Sequence, residues 1–357
     1  MLTTENRKYI KDIHFKSGDE FLKAISYGGE FYTILGKNFI FRGHSSDKYL
    51  LLPTALRRYM YDDVYPNSSY DELHAAIANS EYGQIESEAH LLFKFYKKCD
   101  DAHLYVPEKE RLRESFHMPI DYKILLTPEN WIAEEYQELA ALAQHHGVPT
   151  RLLDWTSDIN VALYFASSSI IRKMATLVKL TRREWNDEMQ SQFARIVNYH
   201  KTKKIVTEEE QNLELWALDT STLFADKKFA IPLRIVRPRY YNNANLAAQK
   251  GSFTYWQVKK PMKKGKGGQM IPDLSVLRNE DTLDKQIAEH LEQYHVDDRF
   301  YIYHFTLPYS ASIELYEYAK RHHCDASYLF PGYSGVARCL EEDGFIESLK
   351  SKQDNKQ

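Results

Sequence analysis

Gln144-His145-His146-Gly147-Val148-Pro149-Thr150-Arg151-Leu152-Leu153-Asp154-Trp155-Thr156-Ser157 lies between two amphipathic runs, and its reading decides the fold. Upstream, Trp131, Tyr136, Leu139, Leu142 and Ala143 recur at helical spacing behind Thr127, a candidate N-cap, and Pro128 in the first turn. Gly147 stops that helix as a left-handed cap residue, and Pro149 forbids its continuation. Thr150 to Trp155 then reads as a strand, and Ser157-Asp158 opens a second helix over Val161, Ala162, Tyr164, Phe165 and Ile170. Polar side chains that donate, accept and ionise therefore crowd both ends of one short strand, a setting in which ligands are usually held.

Working outward, Asn38-Phe39-Ile40-Phe41-Arg42-Gly43 is a β-rich run that ends on an arginine and is stopped by glycine. Before it, Ser17-Gly18-Asp19-Glu20 caps an amphipathic helix through Phe21, Leu22 and Ile25 that finishes near Gly28-Gly29. Residues 57–126 are polar with a 3.6-residue periodicity around Ile85 to Tyr96, so the spacing predicts a helical insertion. After a charged stretch, β-like runs recur at 213–218, 233–239, 252–258 and 300–307, with helices expected at 282–294, 310–323 and 334–349. The Lys/Gly-rich stretch Lys259 to Gly268 reads as a flexible loop. Strands scattered among helices without regular βαβ spacing predict an α+β fold with a mixed or antiparallel sheet core and surrounding helices. A single domain is expected, with 17–56 and 127–180 as its motif-bearing core and 181–350 completing it.

Composition narrows the classes. A hydrophobic fraction of 43% in 357 residues fills a sizeable core, and a formal net charge of -3 provides no whole-molecule field towards nucleic acid or an anionic membrane. Cys99, Cys324 and Cys339 form an odd set without CxxC spacing, which argues against a disulfide framework and a cysteine-rich zinc site and favours a reducing cytoplasm. MLTTENRKYIKDIHF has no apolar core of a signal peptide, and no run of about 18 apolar residues marks a membrane span.

Arg42 is the first chemical candidate. An arginine closing an apolar strand is costly to bury unpaired, so it meets an acid such as Asp154, a carbonyl cluster or an anionic ligand. Gly43 permits a tight turn or close approach of a ligand. Asp154, between Leu153 and Trp155, needs a partner for its ionised form. His145 and His146 are adjacent and point about 100° apart in a helix, so joint metal chelation is not expected. Thr156 and Ser157 read as caps or as hydroxyls bracing a planar ligand.

Phe41-Arg42-Gly43, the Gln144 to Thr156 block and Ala162-Leu163-Tyr164-Phe165-Ala166 together resemble the FRG domain, a bacterial and phage family named for its FRG motif. Ala248-Gln249-Lys250-Gly251-Ser252-Phe253-Thr254 and Leu329-Phe330-Pro331-Gly332-Tyr333-Ser334-Gly335 look like that family's later blocks. Gly332 and Ser334 stand where the family pattern has acids, which puts a metal or general-base role for that loop in doubt.

A second similarity, in order and local setting, is to ADP-ribosyltransferases of the Arg-Ser-Glu type. It implies Arg42, Asp154 and Gln249 as catalytic candidates. The implied cofactor-binding group is Arg42, Gly43, His145, Arg151, Trp155, Thr156, Ser157 and Tyr164. NAD is the implied cofactor, without a metal. Gln249 stands where that pattern has glutamate, and a neutral amide cannot stabilise an oxocarbenium-like centre, which leaves Asp154 as the acid. The expectation is an NAD-using toxin or defence effector acting in the cytoplasm on a protein or nucleic-acid acceptor. The alternatives are a non-catalytic nucleotide or nucleic-acid sensing module, with Lys201 to Lys204 and Lys259-Lys260 to Lys266 as basic runs, and a nuclease-like hydrolase.

Overall fold

The computed structural model describes residues 3–36, 38–60, 72–107, 129–181, 212–225, 230–239, 243–296 and 299–354. Its strands are β1 (Thr3–Arg7), β2 (Ile10–His14), β3 (Phe39–His44), β4 (Asn130–Trp131), β5 (Leu153–Thr156), β6 (Asn212–Asp219), β7 (Leu233–Val236), β8 (Gly251–Trp256), β9 (Val258–Lys259), β10 (Met262–Lys264), β11 (Met270–Pro272) and β12 (Ile302–Pro308). Eight of them make one mixed sheet in the order β1-β2-β12-β6-β3-β5-β8-β7. The pairings are antiparallel except β12 with β2, so the fold is α+β, as the strand spacing predicts.

The helices are α1 (Gly18–Ile25), α2 (Glu72–Asn79), α3 (Glu81–Asp101), α4 (Glu134–His145), α5 (Ile159–Thr181), α6 (Thr220–Ala225), α7 (Ala244–Ala248), α8 (Leu283–Gln293), α9 (Ser312–Arg321), α10 (Ala326–Leu329) and α11 (Tyr333–Asp354). Strand alternation sorts them onto two faces. Phe39, Phe41, Leu213, Leu215, Phe305 and Leu307 pack under α1, α5 and α9. Ile40, Trp216, Leu218 and Ile302 point the other way, into a cluster with Leu283, Ile287 and Leu291 of α8. A third cluster joins α3 and α4 to Phe253 and Tyr255 of β8.

Gly43 decides how closely α5 approaches the sheet. A Cβ there would lie 2.0 Å from the Ala162 carbonyl oxygen, so only glycine lets the helix backbone rest on β3. Ser17 caps α1 as its sequence suggests, with its hydroxyl accepting the Glu20 N–H at 3.2 Å.

Several local expectations are corrected. The helix expected from Thr127 begins at Glu134, because Asn130–Trp131 pairs with Val258–Lys259 as a short strand; Thr127 and Pro128 lie outside the described residues. Ladder pairing of β5 starts at Leu153 rather than Thr150, since the Leu152 N–H turns to Thr150 Oγ1 at 3.1 Å. The supposed flexible loop at Lys259 to Gly268 contains one arm of a hairpin, in which Lys263 pairs with Asp273 at 3.0 Å. Strands β1 and β2 had no counterpart in the sequence reading. Within 57–126 the described part carries α2 and α3, and no strand of the large sheet falls there among the described residues. The basic run at Lys201 to Lys204 lies outside the described residues.

Candidate functional site

The site forms where two neighbouring strands part. Strands β3 and β5 pair only at Phe41 and Thr156. Beyond that pair the ladder stops, and a cleft of about 470 Å³ opens between Arg42-Gly43-His44 and Asp154-Trp155. Its walls come from the C-terminus of α4, from Ala162, Phe165 and Ser169 on one face of α5, and from β8, with Phe330 closing one side. That volume falls in the range of about 300–1,000 Å³ common for small-molecule sites.

Arg42 spans the gap. Its Nη1 donates to the Asp154 carbonyl at 2.7 Å, where strand pairing has ceased, and sits 3.5 Å from Asp154 Oδ2. Its Nε donates to His44 Nε2 at 2.8 Å, and among the described residues Nη2 makes no hydrogen bond. Burial pulls the guanidinium below the usual arginine pKa; Asp154 opposes this, and the nearby charge of Arg57 adds to it. Arg57 also lines the cleft, donates Nε to the Leu52 carbonyl at 2.9 Å, and has no carboxylate partner among the described residues.

Asp154 is half-exposed and tethered by Gln144, whose Nε2 donates to Oδ2 at 3.1 Å. Gln144 is held in turn by the Thr150 hydroxyl at 2.8 Å. Gly147, with φ of +82°, makes the left-handed stop that brings this helix end back to β5. His145 also lines the cleft; burial and the neighbouring His146 lower its pKa, with Asp154 opposing.

Of the remaining sequence-derived candidates, Gly43, Trp155, Thr156 and Gln249 line the same cleft. Their local bonds are structural: Trp155 Nε1 donates to Thr254 Oγ1 at 2.8 Å, and the Thr156 hydroxyl donates to the Gln249 carbonyl at 2.8 Å. The Gln249 carboxamide donates to the Leu329 carbonyl at 3.1 Å. Ser157 is exposed beside the cleft.

Arg151 and Tyr164 are not brought to the cleft. Arg151 is buried, with Nε on Glu88 at 2.8 Å and Nη2 on Glu81 at 3.0 Å; burial alone would lower its pKa, but the two carboxylates raise it overall. Tyr164 is buried in the helical layer, its hydroxyl 3.0 Å from Glu342 Oε1, and burial together with that carboxylate raises its pKa. Both meet acids far away in sequence, which no local motif announces.

The sequence reading missed His44, Arg57 and Ser252. His44 follows Arg42 on the same strand face, and a period-two alternation of Ile40, Arg42 and His44 was the available signal. Ser252 is buried in the cleft wall, and its hydroxyl has no hydrogen-bond partner among the described residues. No three His, Cys, Asp or Glu side chains among the described residues are grouped as a metal ion would need. No helix among them is long and apolar enough to cross a membrane.

Much of this constellation falls inside one family match: residues 37–175 match the family model of the FRG domain, while Leu246, Gln249, Gly251, Ser252, Phe253 and Phe330 of the cleft wall lie after it. Residues 37–175 are thus similar to the FRG domain, and that stretch holds β3, α4, β5 and most of α5, and with them Arg42, Gln144 and Asp154. No curated protein and no solved structure matches the chain.

Proposed function

We propose that the FRG-domain cleft binds a nucleotide through its phosphates, with NAD as the nucleotide and ADP-ribosyl transfer as the reaction. One observation carries the reading: Arg42 and Arg57 face the same cleft, and among the described residues Arg57 has no carboxylate partner and Arg42 keeps Nη2 unbonded. Two guanidinium groups at one opening repel each other, and a diphosphate relieves that repulsion with charge-assisted hydrogen bonds. The unpartnered Ser252 hydroxyl offers a further polar contact, and Phe165 and Phe330 give apolar surface for a planar ring.

Arg42, Thr156 and Gln249 share the cleft in the order that the second resemblance implies, which fits NAD. When bound, NAD supplies a ribosyl carbon from which nicotinamide departs as an acceptor nucleophile attaches. Asp154 is the half-exposed carboxylate of this opening, and the acid that could face positive charge developing on the ribose. Arg42 would orient the phosphates, and Gln144 would keep Asp154 from swinging onto Arg42.

A second reading, a nucleotide-sensing module without turnover, is favoured by Gln249, which is neutral and already tied to the Leu329 carbonyl. One experiment separates the two. NAD is titrated into the full chain by calorimetry, and nicotinamide release is then followed with candidate protein and nucleic-acid acceptors, each checked for a mass shift. Binding with release supports the transferase, binding without release supports the sensor, and no binding removes both.

A further inference from the structure

Six polar side chains, from Arg42 to Arg7, cross the α8-facing side of the sheet in a single line. In register, His44 opposes Glu214, Arg42 opposes Trp216, and Trp216 and Asp12 lie either side of His304. The side chains follow the strands. His44 Nδ1 meets Glu214 Oε2 at 3.2 Å, Glu214 Oε1 meets His304 Nε2 at 3.0 Å, and His304 Nδ1 meets Asp12 Oδ1 at 2.7 Å. Arg7 closes the far end with two bonds of 2.9 Å to Asp12. The indole of Trp216 donates to Glu214 at 3.1 Å and stacks on His304, ring centres 3.8 Å apart.

Donor counting leaves one protonation pattern for this line. The Arg42 Nε carries only a hydrogen to give, so His44 Nε2 must be an unprotonated acceptor. The His44 proton then lies on Nδ1 and is donated to Glu214. His304 stands between two carboxylates and donates from both nitrogens, which makes it an imidazolium.

We infer that His44 is the positioning residue of the cleft: it holds the Nε edge of Arg42 and leaves Nη2 for a ligand's anion, while Glu214, His304 and Asp12 fix its tautomer. This rests on the reading that Arg42 receives that anion. A single sheet face is rigid, so the guanidinium is set before a ligand arrives. The groups facing His44 are Arg42 on its own strand, Glu214 on β6, Arg57 after β3, and the Tyr49 ring edge-on at 6.0 Å. Burial keeps the imidazole below the usual histidine pKa; Glu214 opposes, and the charges of Arg42 and Arg57 add to the lowering, so the acceptor form prevails at neutral pH. Acid turns Nε2 into a donor facing a donor, and the hold on Arg42 is lost.

The test uses the full chain labelled with ¹⁵N, with His44→Phe removing the acceptor and His44→Gln restoring one as a carboxamide oxygen. At neutral pH the wild-type spectrum should show His44 protonated at Nδ1 alone and His304 protonated at both nitrogens. The Arg42 Nε–H should exchange slowly with solvent in wild type, fast in His44→Phe, and slowly again in His44→Gln. ADP-ribose binding, read by calorimetry, should weaken by about tenfold or more in His44→Phe and by no more than about threefold in His44→Gln. A proton on His44 Nε2, or His44→Phe matching wild type in exchange and binding, overturns the assignment. If wild type does not bind ADP-ribose, the nucleotide reading is lost while the exchange rates still decide the role of His44. If His44→Phe does not fold, the wild-type ring nitrogens and the His44→Gln exchange rate decide it.

Discussion

Arg42 and Arg151 come from the two most distinctive blocks of the sequence, yet they sit in opposite surroundings. Arg151 is saturated: it is buried and meets Glu81 and Glu88, which lie two turns apart on α3 and are themselves buried. Arg42 has one carbonyl, one imidazole and a long contact to Asp154, and faces an open cleft. The difference lies in the carboxylates supplied by other parts of the chain. An arginine given two buried acids is a strut, and one given a carbonyl and a half-exposed acid retains capacity for an anion.

The sharpest way to break that comparison is Arg151→Met. It strands two carboxylates whose side chains are 6% and 3% exposed, and should cost about 3–5 kcal/mol of stability. Denaturant unfolding of wild type and variant measures it. An unchanged midpoint would show that α3 is held without its pairs to Arg151 and that Arg151 is free for another role.

The unequal fate of these arginines also shows what the sequence made legible. Helix and strand periodicity located β3, most of α4, β5 and α5, and the polar residues gathered around Gln144 to Thr156 pointed to the cleft. Proximity along the chain carried that information. The partners of Arg151 lie 63 and 70 residues away, those of His304 lie 90 and 292 away, and register rather than local pattern brings them together. Glu214 illustrates the limit: within Leu213–Leu218 it is one polar residue in an apolar run, and only its pairing opposite His44 gives it meaning. Strand β1, polar at all five positions, and the Lys/Gly-rich hairpin escaped because neither has an apolar face of its own; both depend on pairing to a neighbouring strand.

A smaller effect distinguishes the line of residues behind Arg42 from the pocket of Arg151. Burial would raise Glu214 and Asp12, but hydrogen bonds outweigh it, from His304 and His44 to Glu214 and from His304 and Arg7 to Asp12, and hold each at about 2. Both pKa values are depressed on folding, so their contribution is present above the unfolded values of 4.5 and 3.8 and is lost as pH falls towards about 2. Thermal melting across that range should show stability falling with acid, and Glu214→Gln should flatten the slope. An unaltered slope in Glu214→Gln would mean that the line does not report on folding.

The smallest expected change in stability belongs to Arg42 itself. Arg42→Ala removes a desolvated guanidinium whose one carboxylate contact is 3.5 Å long, so unfolding should shift by less than about 1 kcal/mol. Ligand binding should fall far more. Loss of a charge-assisted contact to phosphate corresponds to about tenfold or more in affinity for NAD. Arg42→Lys should not restore it, because a point charge cannot keep the His44 and Asp154 carbonyl contacts while also meeting an anion as the planar fork does. Asp154→Asn separates the remaining roles. If the carboxylate only balances Arg42, the amide should weaken binding modestly; if it faces charge on the ribose, nicotinamide release should collapse while NAD still binds. Should Arg42→Ala cost as much stability as is expected of Arg151→Met, the two arginines are both struts, and the cleft loses its claim to an anion.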